Sequence, residues 1–265
     1  MEKITTDILK KKKENGEKIT ALTCYNYWMG RIMKDVDIDL ILVGDSLGMV
    51  ELGYENTLPV TIDEMVHHTK AVKRSDPRAF LVADMPFLSF NLEKTEALSN
   101  AGRLIKEGGA QAVKIEGGKE VASTAKHIVN NNIPVMGHLG LTPQAVHKMG
   151  GFKVQGKTEP EATKLITDAK VLEGAGVFSI VLEGIPADLA ARVTEKVSVP
   201  TIGIGAGADC DGQILVVNDL LGMDLSFKPK FVRQYASLEE TIKNSFKNYI
   251  KDVKKGEFPS KEEIY

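Results

Sequence analysis

Four acidic residues stand at the ends of short apolar runs that are typical of β-strands. They are Asp45, Asp84, Glu116 and Glu183, separated by 39, 32 and 67 residues. An interval of 30-odd residues matches one strand–helix unit, and the last interval matches two units. Because parallel strands of one barrel end on the same face, we expect the four carboxylates to gather there. Carboxylates gathered in this way repel one another unless a hard divalent cation such as Mg²⁺ binds between them.

A lysine accompanies the third acidic residue within its strand. Side chains alternate between the two faces of a strand, so Lys114 and Glu116 share one face while Val113 and Ile115 share the other. An otherwise apolar strand has no structural reason to carry two charges on its inner face. We therefore predict that Lys114 points into the same site as the carboxylates.

Structural roles stay open for single residues of this kind. An aspartate at the end of a strand, such as Asp45 taken alone, also serves as a helix N-cap or a turn former. His138 and the pair His67 and His68 are expected to be structural, because a zinc site requires closer clustering of His and Cys. Cys24 is expected to pack in the core, and no nucleophile arrangement of the Ser/His/Asp or Cys/His type stands out.

The segments around these residues alternate strand-like runs with helical periodicity. The predicted strands are Thr20–Cys24, Leu40–Gly44, Phe80–Asp84, Ala112–Glu116, Pro134–Gly137, Ser179–Glu183, Thr201–Gly205 and Gln213–Val217. The predicted helices are Trp28–Val36, Ile62–Arg74, Lys94–Glu107, Glu120–Asn130, Glu161–Gly174, Pro186–Val197 and Ser237–Lys254. This alternation predicts an α/β chain in which residues 1–265 form a single (β/α)8 TIM barrel domain.

Two long stretches without a helix or strand pattern, Ser46–Val60 and His138–Glu159, follow strands. In a barrel, such loops lie on the face that builds the active site. The glycine-rich stretch from Gly203 to Gly207 has two open interpretations. It is either a phosphate-binding loop or a means of tight turning in the short link Ala206–Gly212.

The composition is that of an ordinary globular protein. The 265 residues carry a formal net charge of −2, with 43% apolar and 26% charged residues. A near-neutral balance argues against a nucleic-acid binder that relies on a strong basic field. Two distant cysteines exclude a disulfide framework and a CxxC zinc site. We expect no export signal and no membrane span, hence a cytoplasmic protein, and a solvated helix face at Lys10–Lys13.

Longer motifs surround the charged residues at the strand ends. They are Val43–Met49, Thr57–Thr61, Ala83–Phe87, Val113–Gly118, Gly137–Gln144, Gly150–Gly156, Ile202–Gly207 and Asp211–Gln213. In this order and spacing they resemble the ketopantoate hydroxymethyltransferase (3-methyl-2-oxobutanoate hydroxymethyltransferase) family over nearly the whole chain. Two positions depart from the family pattern: Tyr25-Asn26 stands where Tyr-Asp is usual, and Asn218-Asp219 where His-Asp is common.

The resemblance implies a Mg²⁺-dependent (β/α)8 barrel of the phosphoenolpyruvate/pyruvate-binding type that acts in pantothenate biosynthesis. Asp45 and Asp84 match the metal ligands of the family, and Glu116 matches a third acid at the metal. Glu183 matches the proton acceptor. The positions that match binding of the keto-acid are Asp45, Ser46, Asp84 and Lys114. The resemblance also implies a homo-oligomer, with a decamer as the expected assembly.

The implied reaction transfers a hydroxymethyl group from 5,10-methylenetetrahydrofolate to 3-methyl-2-oxobutanoate and gives 2-dehydropantoate. In this mechanism the keto-acid chelates one Mg²⁺ per subunit, which acidifies its C3 hydrogen and stabilises an enolate. Glu183 removes the proton, and Lys114 neutralises negative charge on the substrate.

Two other classes of function compete with this one. A Mg²⁺-dependent 2-oxo acid lyase or mutase of the isocitrate lyase/PEP mutase type also stabilises an enolate. It requires a reactive loop cysteine, which neither Cys24 nor Cys210 provides by its position. A folate- or keto-acid-binding protein without catalysis would show damage among the charged residues, and all five are present.

Overall fold

Eight parallel strands form a closed barrel in chain order, which confirms the predicted (β/α)8 architecture. The structure, a computed structural model, describes residues 3–223 and 229–265. The strands are β1 (Ile19–Thr23), β2 (Leu40–Val43), β3 (Phe80–Asp84), β4 (Ala112–Glu116), β5 (Val135–Gly140), β6 (Ser179–Glu183), β7 (Thr201–Ile204) and β8 (Gly212–Leu215). The barrel belongs to the first of two units, Met1–Val216, and the second unit is Val217–Tyr265. The assignment of residues 1–265 to one domain stays a prediction.

Helices alternate with the strands along the chain. They are α1 (Thr6–Glu14), α2 (Tyr27–Lys34), α3 (Leu47–Val50), α4 (Ile62–Arg74), α5 (Lys94–Arg103), α6 (Lys119–Asn130), α7 (Val146–Met149), α8 (Glu159–Gly174), α9 (Ala187–Lys196), α10 (Val217–Leu221) and α11 (Leu238–Lys255). Helix α5 continues as one π-helical turn, Leu104–Gly108. Among the described residues, no helix is both long enough and apolar enough to span a bilayer.

Side chains before the first helical turns determine where several helices begin. Thr61 and Glu64 form a reciprocal capping box at the start of α4, and Thr158 and Glu161 form another at α8. Asn26 caps α2 by accepting a hydrogen bond from the backbone N–H of Met29 at 3.0 Å. Asn and Asp are equally effective N-caps, so the departure at Asn26 leaves this local structure intact.

Inward-facing side chains change from apolar to charged along several strands. At the amino end of the barrel, alternate strand positions supply apolar residues to one core cluster. In four strands the alternate positions that face inward begin with apolar side chains and end with a titratable one. These series are Phe80, Val82 and Asp84 in β3, Ala112, Lys114 and Glu116 in β4, Met136 and His138 in β5, and Val181 and Glu183 in β6. Strand parity therefore places the charges above the apolar core, at the carboxyl end of the barrel.

Helix α1 closes the amino end of the barrel. Ile4 and Leu9 join the barrel's core cluster. Lys12 forms an ion pair with Asp39 at 2.9 Å. The Lys13 ammonium lies 2.8 Å from a carboxylate oxygen of Asp211.

The expectation that Lys10–Lys13 form a solvated face is therefore wrong for half of the run. Lys10 and Lys11 are exposed, but Lys12 and Lys13 are partly buried. The cause is tertiary, because α1 brings these two lysines to the acids that precede β2 and β8.

Two stretches without a sequence pattern contain structure that local propensity does not reveal. Strand β5 ends at Gly140 rather than Gly137, because pairing of Gly140 with Glu183 outweighs the weak strand propensity of its glycines. The first loop contains α3, and the second contains α7 and a 3₁₀ turn at Pro143–Ala145. Elements of three or four residues are too short to show periodicity.

The glycine-rich link between β7 and β8 is structured as a turn. The described residues 205–211 contain no helix. Gly207 has a φ of +81°, and a Cβ atom there would lie 2.5 Å from the Cβ of Ala187. Positive φ and close approach both require glycine, which supports the tight-turn interpretation.

The second unit contains α10 and the 18-residue helix α11. No residue of α11 is buried. The exposed apolar side chains along this helix are Ile242, Phe246, Tyr249, Ile250 and Val253.

The contacts of α1 predict that Lys13→Met destabilises the barrel. Besides pairing with Asp211, Lys13 donates to the backbone carbonyls of Thr194 and Val199, both at 3.1 Å. Removing the ammonium leaves the Asp211 carboxylate without its cation, which should lower the free energy of unfolding by about 3 kcal/mol. Urea denaturation followed by circular dichroism measures this loss. Lys11→Met on the exposed side of α1 is the control and should change the value by less than about 0.5 kcal/mol. Equal effects of the two substitutions would contradict the prediction.

Candidate active site

The strand register brings the charged residues of neighbouring strands side by side. Asp84 of β3 pairs with Lys114 of β4, and Glu116 of β4 pairs with His138 of β5. All four are buried. The predicted shared face of Lys114 and Glu116 is confirmed, because both side chains approach the same imidazole ring.

Lys114 is the central cation of this cluster. Its ammonium lies 3.0 Å from Asp84 Oδ1 and 3.9 Å from Glu116 Oε1, and its side chain is 5% exposed. Burial opposes the charged form, but the carboxylates of Asp84 and Glu116 outweigh it and raise the pKa of Lys114. The lysine is therefore a permanent positive charge in a nearly dry site.

His138 connects Lys114 to Glu183. Its Nδ1 atom lies 3.1 Å from the Lys114 ammonium and 3.4 Å from Glu116 Oε1, and its Nε2 atom lies 3.1 Å from Glu183 Oε2. Burial and Lys114 lower the pKa of His138, but the nearby carboxylates of Glu116 and Glu183 outweigh them and raise it to about 9. The expectation of a purely structural histidine overlooked these contacts, because the sequence pattern ends β5 before His138.

Gln144 ties two of the carboxylates together. Its side-chain Nε2 donates to Asp45 Oδ2 at 2.8 Å and to the carbonyl of Met85 at 3.0 Å. Its backbone N–H donates to Glu116 Oε2 at 3.0 Å. Gln144 closes the Gly137–Gln144 motif, but the residue type alone gave no reason to assign it a role.

Asp45 and Asp84 form a pair of buried carboxylates. The backbone N–H of Asp45 donates to Asp84 Oδ2 at 3.0 Å. Burial, followed by repulsion from Asp84 and Glu116, raises the pKa of Asp45 well above its ordinary value. Burial also raises the pKa of Asp84, although Lys114 opposes this effect. Ionising both carboxylates therefore costs free energy unless a cation joins them.

Ser46 lies beside this pair and is held by Tyr25. The hydroxyl groups of Ser46 and Tyr25 are 2.8 Å apart, and Tyr25 is fully buried. A Cβ atom added to Gly44 would lie 2.8 Å from Ser46 Oγ and 3.4 Å from Asp84 Oδ2. Ser46 therefore reaches the same side of the cluster as Asp84, and glycine at position 44 leaves room between them.

The donor set fits a hard divalent cation that shares its coordination with a substrate. Asp45 and Asp84 supply carboxylate oxygens, and the buried Glu116 Oε1 atom accepts no hydrogen bond. Within residues 3–223 and 229–265, no three His, Cys, Asp or Glu side chains are arranged as a complete metal site. Mg²⁺ needs only one or two carboxylates when substrate oxygens and waters complete its shell. Glu116 as a third ligand stays a prediction.

A cavity of about 390 Å³ adjoins the cluster. Its apolar wall includes Leu58, Phe87 and Phe90, and Glu116 and Gln144 line its polar side. Such a volume accommodates part of a small organic ligand.

A closed parallel barrel with charged residues at the carboxyl ends of its strands defines a (β/α)8 barrel of the enzyme type. The family model described as ketopantoate hydroxymethyltransferase matches residues 3–261. The chain belongs to this family.

Curated relatives agree with this assignment over the full chain. The 3-methyl-2-oxobutanoate hydroxymethyltransferase of Thermoanaerobacter sp. (strain X514) is 57% identical, over 100% of this chain and 96% of its own. The protein of the same name from Syntrophus aciditrophicus (strain SB) is 54% identical, over 99% of this chain and 97% of its own. The family resemblance that the motifs predicted is thus confirmed.

Solved structures of other proteins share the fold. A 2,3-dimethylmalate lyase of the PEP mutase/isocitrate lyase superfamily aligns with a TM-score of 0.62 at 14% identity, covering 98% of this chain and 91% of that one. A phosphonopyruvate hydrolase, crystallised with oxalate and Mg²⁺, aligns with a TM-score of 0.63 at 10% identity, covering 98% and 93%. At these identities the likeness establishes the barrel type alone.

The repulsion at Asp45 predicts that Asp45→Asn stabilises the metal-free protein. Asparagine can still accept the hydrogen bond from Gln144 but carries no charge, so the melting temperature should rise by about 3 °C, or about 1 kcal/mol. Because the folded state raises the pKa of Asp45 above 3.8, wild-type stability is lost as the pH rises from there through the raised pKa. The gain from asparagine should therefore grow as the pH rises above 3.8.

Asp39→Asn is the matched control, because Asp39 is a buried acid paired with a lysine. It should lower the melting temperature rather than raise it. Differential scanning calorimetry in excess EDTA makes both measurements. A lower melting temperature for Asp45→Asn across this pH range would contradict the prediction.

Proposed function

We propose that the protein transfers a hydroxymethyl group from 5,10-methylenetetrahydrofolate to 3-methyl-2-oxobutanoate, giving 2-dehydropantoate for pantothenate synthesis. Family membership supports the reaction class. The observation that carries the proposal is the buried Lys114 ammonium beside Asp84, linked through His138 to the more accessible carboxylate of Glu183. This arrangement combines a site for an anionic keto-acid with a nearby base.

The keto-acid binds through groups that complement its two oxygen functions. Asp45 and Asp84 would hold Mg²⁺, and Ser46 and Lys114 would donate hydrogen bonds to the substrate oxygens. When bound, Mg²⁺ acts as a Lewis acid that polarises the keto group and acidifies the hydrogen on C3. Lys114 neutralises negative charge that develops on the substrate, and the low exposure of its side chain strengthens this interaction.

Glu183 is assigned as the base that removes the C3 proton. Its side chain is 16% exposed, whereas those of Asp84, Glu116 and His138 are 3 to 4% exposed. A carboxylate at the mouth of the barrel can reach the C3 proton of a substrate that Lys114 and a cation on the buried carboxylates would hold. The assignment also places the base on β6, away from the proposed metal ligands at the ends of β2 and β3.

The folate supplies the one-carbon unit. Carbon C3 forms a bond to the methylene carbon, both bonds from that carbon to the two folate nitrogens break, and water supplies the hydroxyl oxygen. The proton from C3 and one proton of the water end on the two nitrogens. Tetrahydrofolate and 2-dehydropantoate leave. The protein contributes the position of the two substrates and the exclusion of water, and the chemistry of the carbon unit belongs to the folate.

The cysteines argue against the lyase or mutase alternative. Cys24 and Cys210 are both fully buried. Burial raises the pKa of Cys24 to about 11 and also raises the pKa of Cys210. Both thiols therefore stay protonated and out of contact with substrate, so neither suits acid–base chemistry in a loop.

The assignment of Glu183 predicts a loss of proton exchange in Glu183→Gln. Glutamine keeps the shape of the side chain but cannot accept the proton, so C3 deuterium exchange should fall by about 10²- to 10⁴-fold. NMR of 3-methyl-2-oxobutanoate in D₂O with Mg²⁺ measures exchange without folate. Full turnover should fall by the same factor, while the keto-acid still binds.

EDTA provides the control for the metal. It should abolish exchange in the wild-type protein, and added Mg²⁺ should restore it. Exchange by Glu183→Gln at more than about a tenth of the wild-type rate would exclude Glu183 as the sole base. Undiminished exchange in EDTA would exclude the metal assignment.

The protein is further proposed to act in the cytoplasm as a homo-oligomer. Large apolar side chains on α2 support an assembly, since Trp28 and Ile32 are each 52% exposed. Sedimentation velocity should therefore give a mass that is a multiple of 28.9 kDa. An active species at the monomer mass would contradict the prediction.

A further inference from the structure

His138 stands between the groups that hold the keto-acid and the proposed base. Its ring is 3% exposed and approaches Lys114 and Glu116 with Nδ1 and Glu183 with Nε2. Nε2 lies 3.1 Å from Glu183 Oε2, which is an ion-pair distance without the alignment of a hydrogen bond, and within the described residues Nε2 makes no hydrogen bond. Among these residues, the imidazole is the one cationic partner found for the carboxylate of Glu183.

The neighbours of Nδ1 determine where the ring carries a proton. An ammonium group can only donate, so in a neutral ring Lys114 makes Nδ1 the acceptor and leaves the proton on Nε2. In a charged ring both nitrogens carry protons, and Nδ1 then faces Glu116. In both states Nε2 carries a proton, and this nitrogen lies 3.1 Å from Glu183 Oε2, so a small turn of either side chain would make the N–H donate to the carboxylate.

We propose that His138 is a positioning residue that holds one oxygen of the Glu183 carboxylate and thereby turns the other oxygen toward C3 of the keto-acid. The inference rests on the proposed function, in which Glu183 is the base. A glutamate side chain has three rotatable bonds, and an unheld carboxylate spends most of its time outside the reactive geometry. The buried ring, fixed through Lys114 and Glu116, removes that freedom.

Two substitutions of His138 distinguish the role of Nε2 from the role of Nδ1. The amide nitrogen of glutamine falls near the position of Nε2, whereas that of asparagine falls near Nδ1. His138→Gln therefore keeps a donor for Glu183, and His138→Asn keeps only the contacts toward Lys114 and Glu116. Both remove the ring, so a general packing defect affects both.

The expected result is a difference between the two variants in C3 deuterium exchange. At saturating keto-acid and Mg²⁺, His138→Asn should lose about 10²-fold in rate, the cost of a misplaced catalytic group. His138→Gln should lose less than about tenfold. The KM for the keto-acid should change less than about threefold in both, because binding rests on Asp45, Asp84, Ser46 and Lys114. Equal losses in the two variants, or a loss below threefold in His138→Asn, would overturn the proposal.

A measurement on variants that retain His138 tests the contact if neither substitution folds. Nitrogen-15 NMR of histidine-labelled protein should show a proton on Nε2, with a resonance that shifts in Glu183→Gln. A ring protonated on Nδ1 alone, or a resonance that Glu183→Gln leaves unchanged, would overturn the inference. Absence of C3 exchange in the wild-type protein would instead overturn the proposed function, whereas exchange that is equal in His138→Gln and His138→Asn would overturn only the role of His138.

Discussion

The site depends on a buried lysine that is surrounded by more carboxylates than its single charge can balance. Lys114 faces Asp84 and Glu116, and Asp45 adds a further carboxylate that Gln144 holds in place. Burying carboxylates is costly unless each has a partner, so the cluster has an electrostatic reason to bind another cation. The same imbalance favours a substrate that brings such an ion with its own oxygens.

The barrel makes this concentration of charge tolerable by separating it from the apolar core along each strand. In β3 and β4 the inward-facing positions pass from Phe80 and Ala112 to Asp84 and Glu116 within five residues. Folding free energy therefore comes from the amino half of the barrel and from helix packing, and the charged half is free to serve binding. A substitution among the charged residues at the carboxyl end of the barrel should therefore affect binding and catalysis more than it affects the fold.

Sequence periodicity was sufficient to predict the barrel and five charged residues of its mouth, because strand spacing and side-chain parity are local properties. Tertiary contacts explain what it could not predict. His138 enters the site because β5 continues through glycines, and Gln144 reaches Asp45 from a loop with no periodic signal. In the sequence, Lys12 and Lys13 resemble surface lysines. Only the folded structure shows that they form ion pairs with Asp39 and Asp211. The spacing of the carboxylates alone predicted a divalent cation, whereas the roles of particular residues as metal ligands, substrate-binding groups and base came from family resemblance.

The ion pair between α1 and the approach to β8 has a consequence for synthesis of the chain. Lys13 is synthesised long before Asp211, with which it forms an ion pair. Leu9 is likewise synthesised long before Ile214, which belongs to the same core cluster. Helix α1 is too short to be stable alone in water. Helix α1 is thus among the last elements of the barrel unit to dock, and the nascent chain carries an uncovered apolar segment until β8 is available.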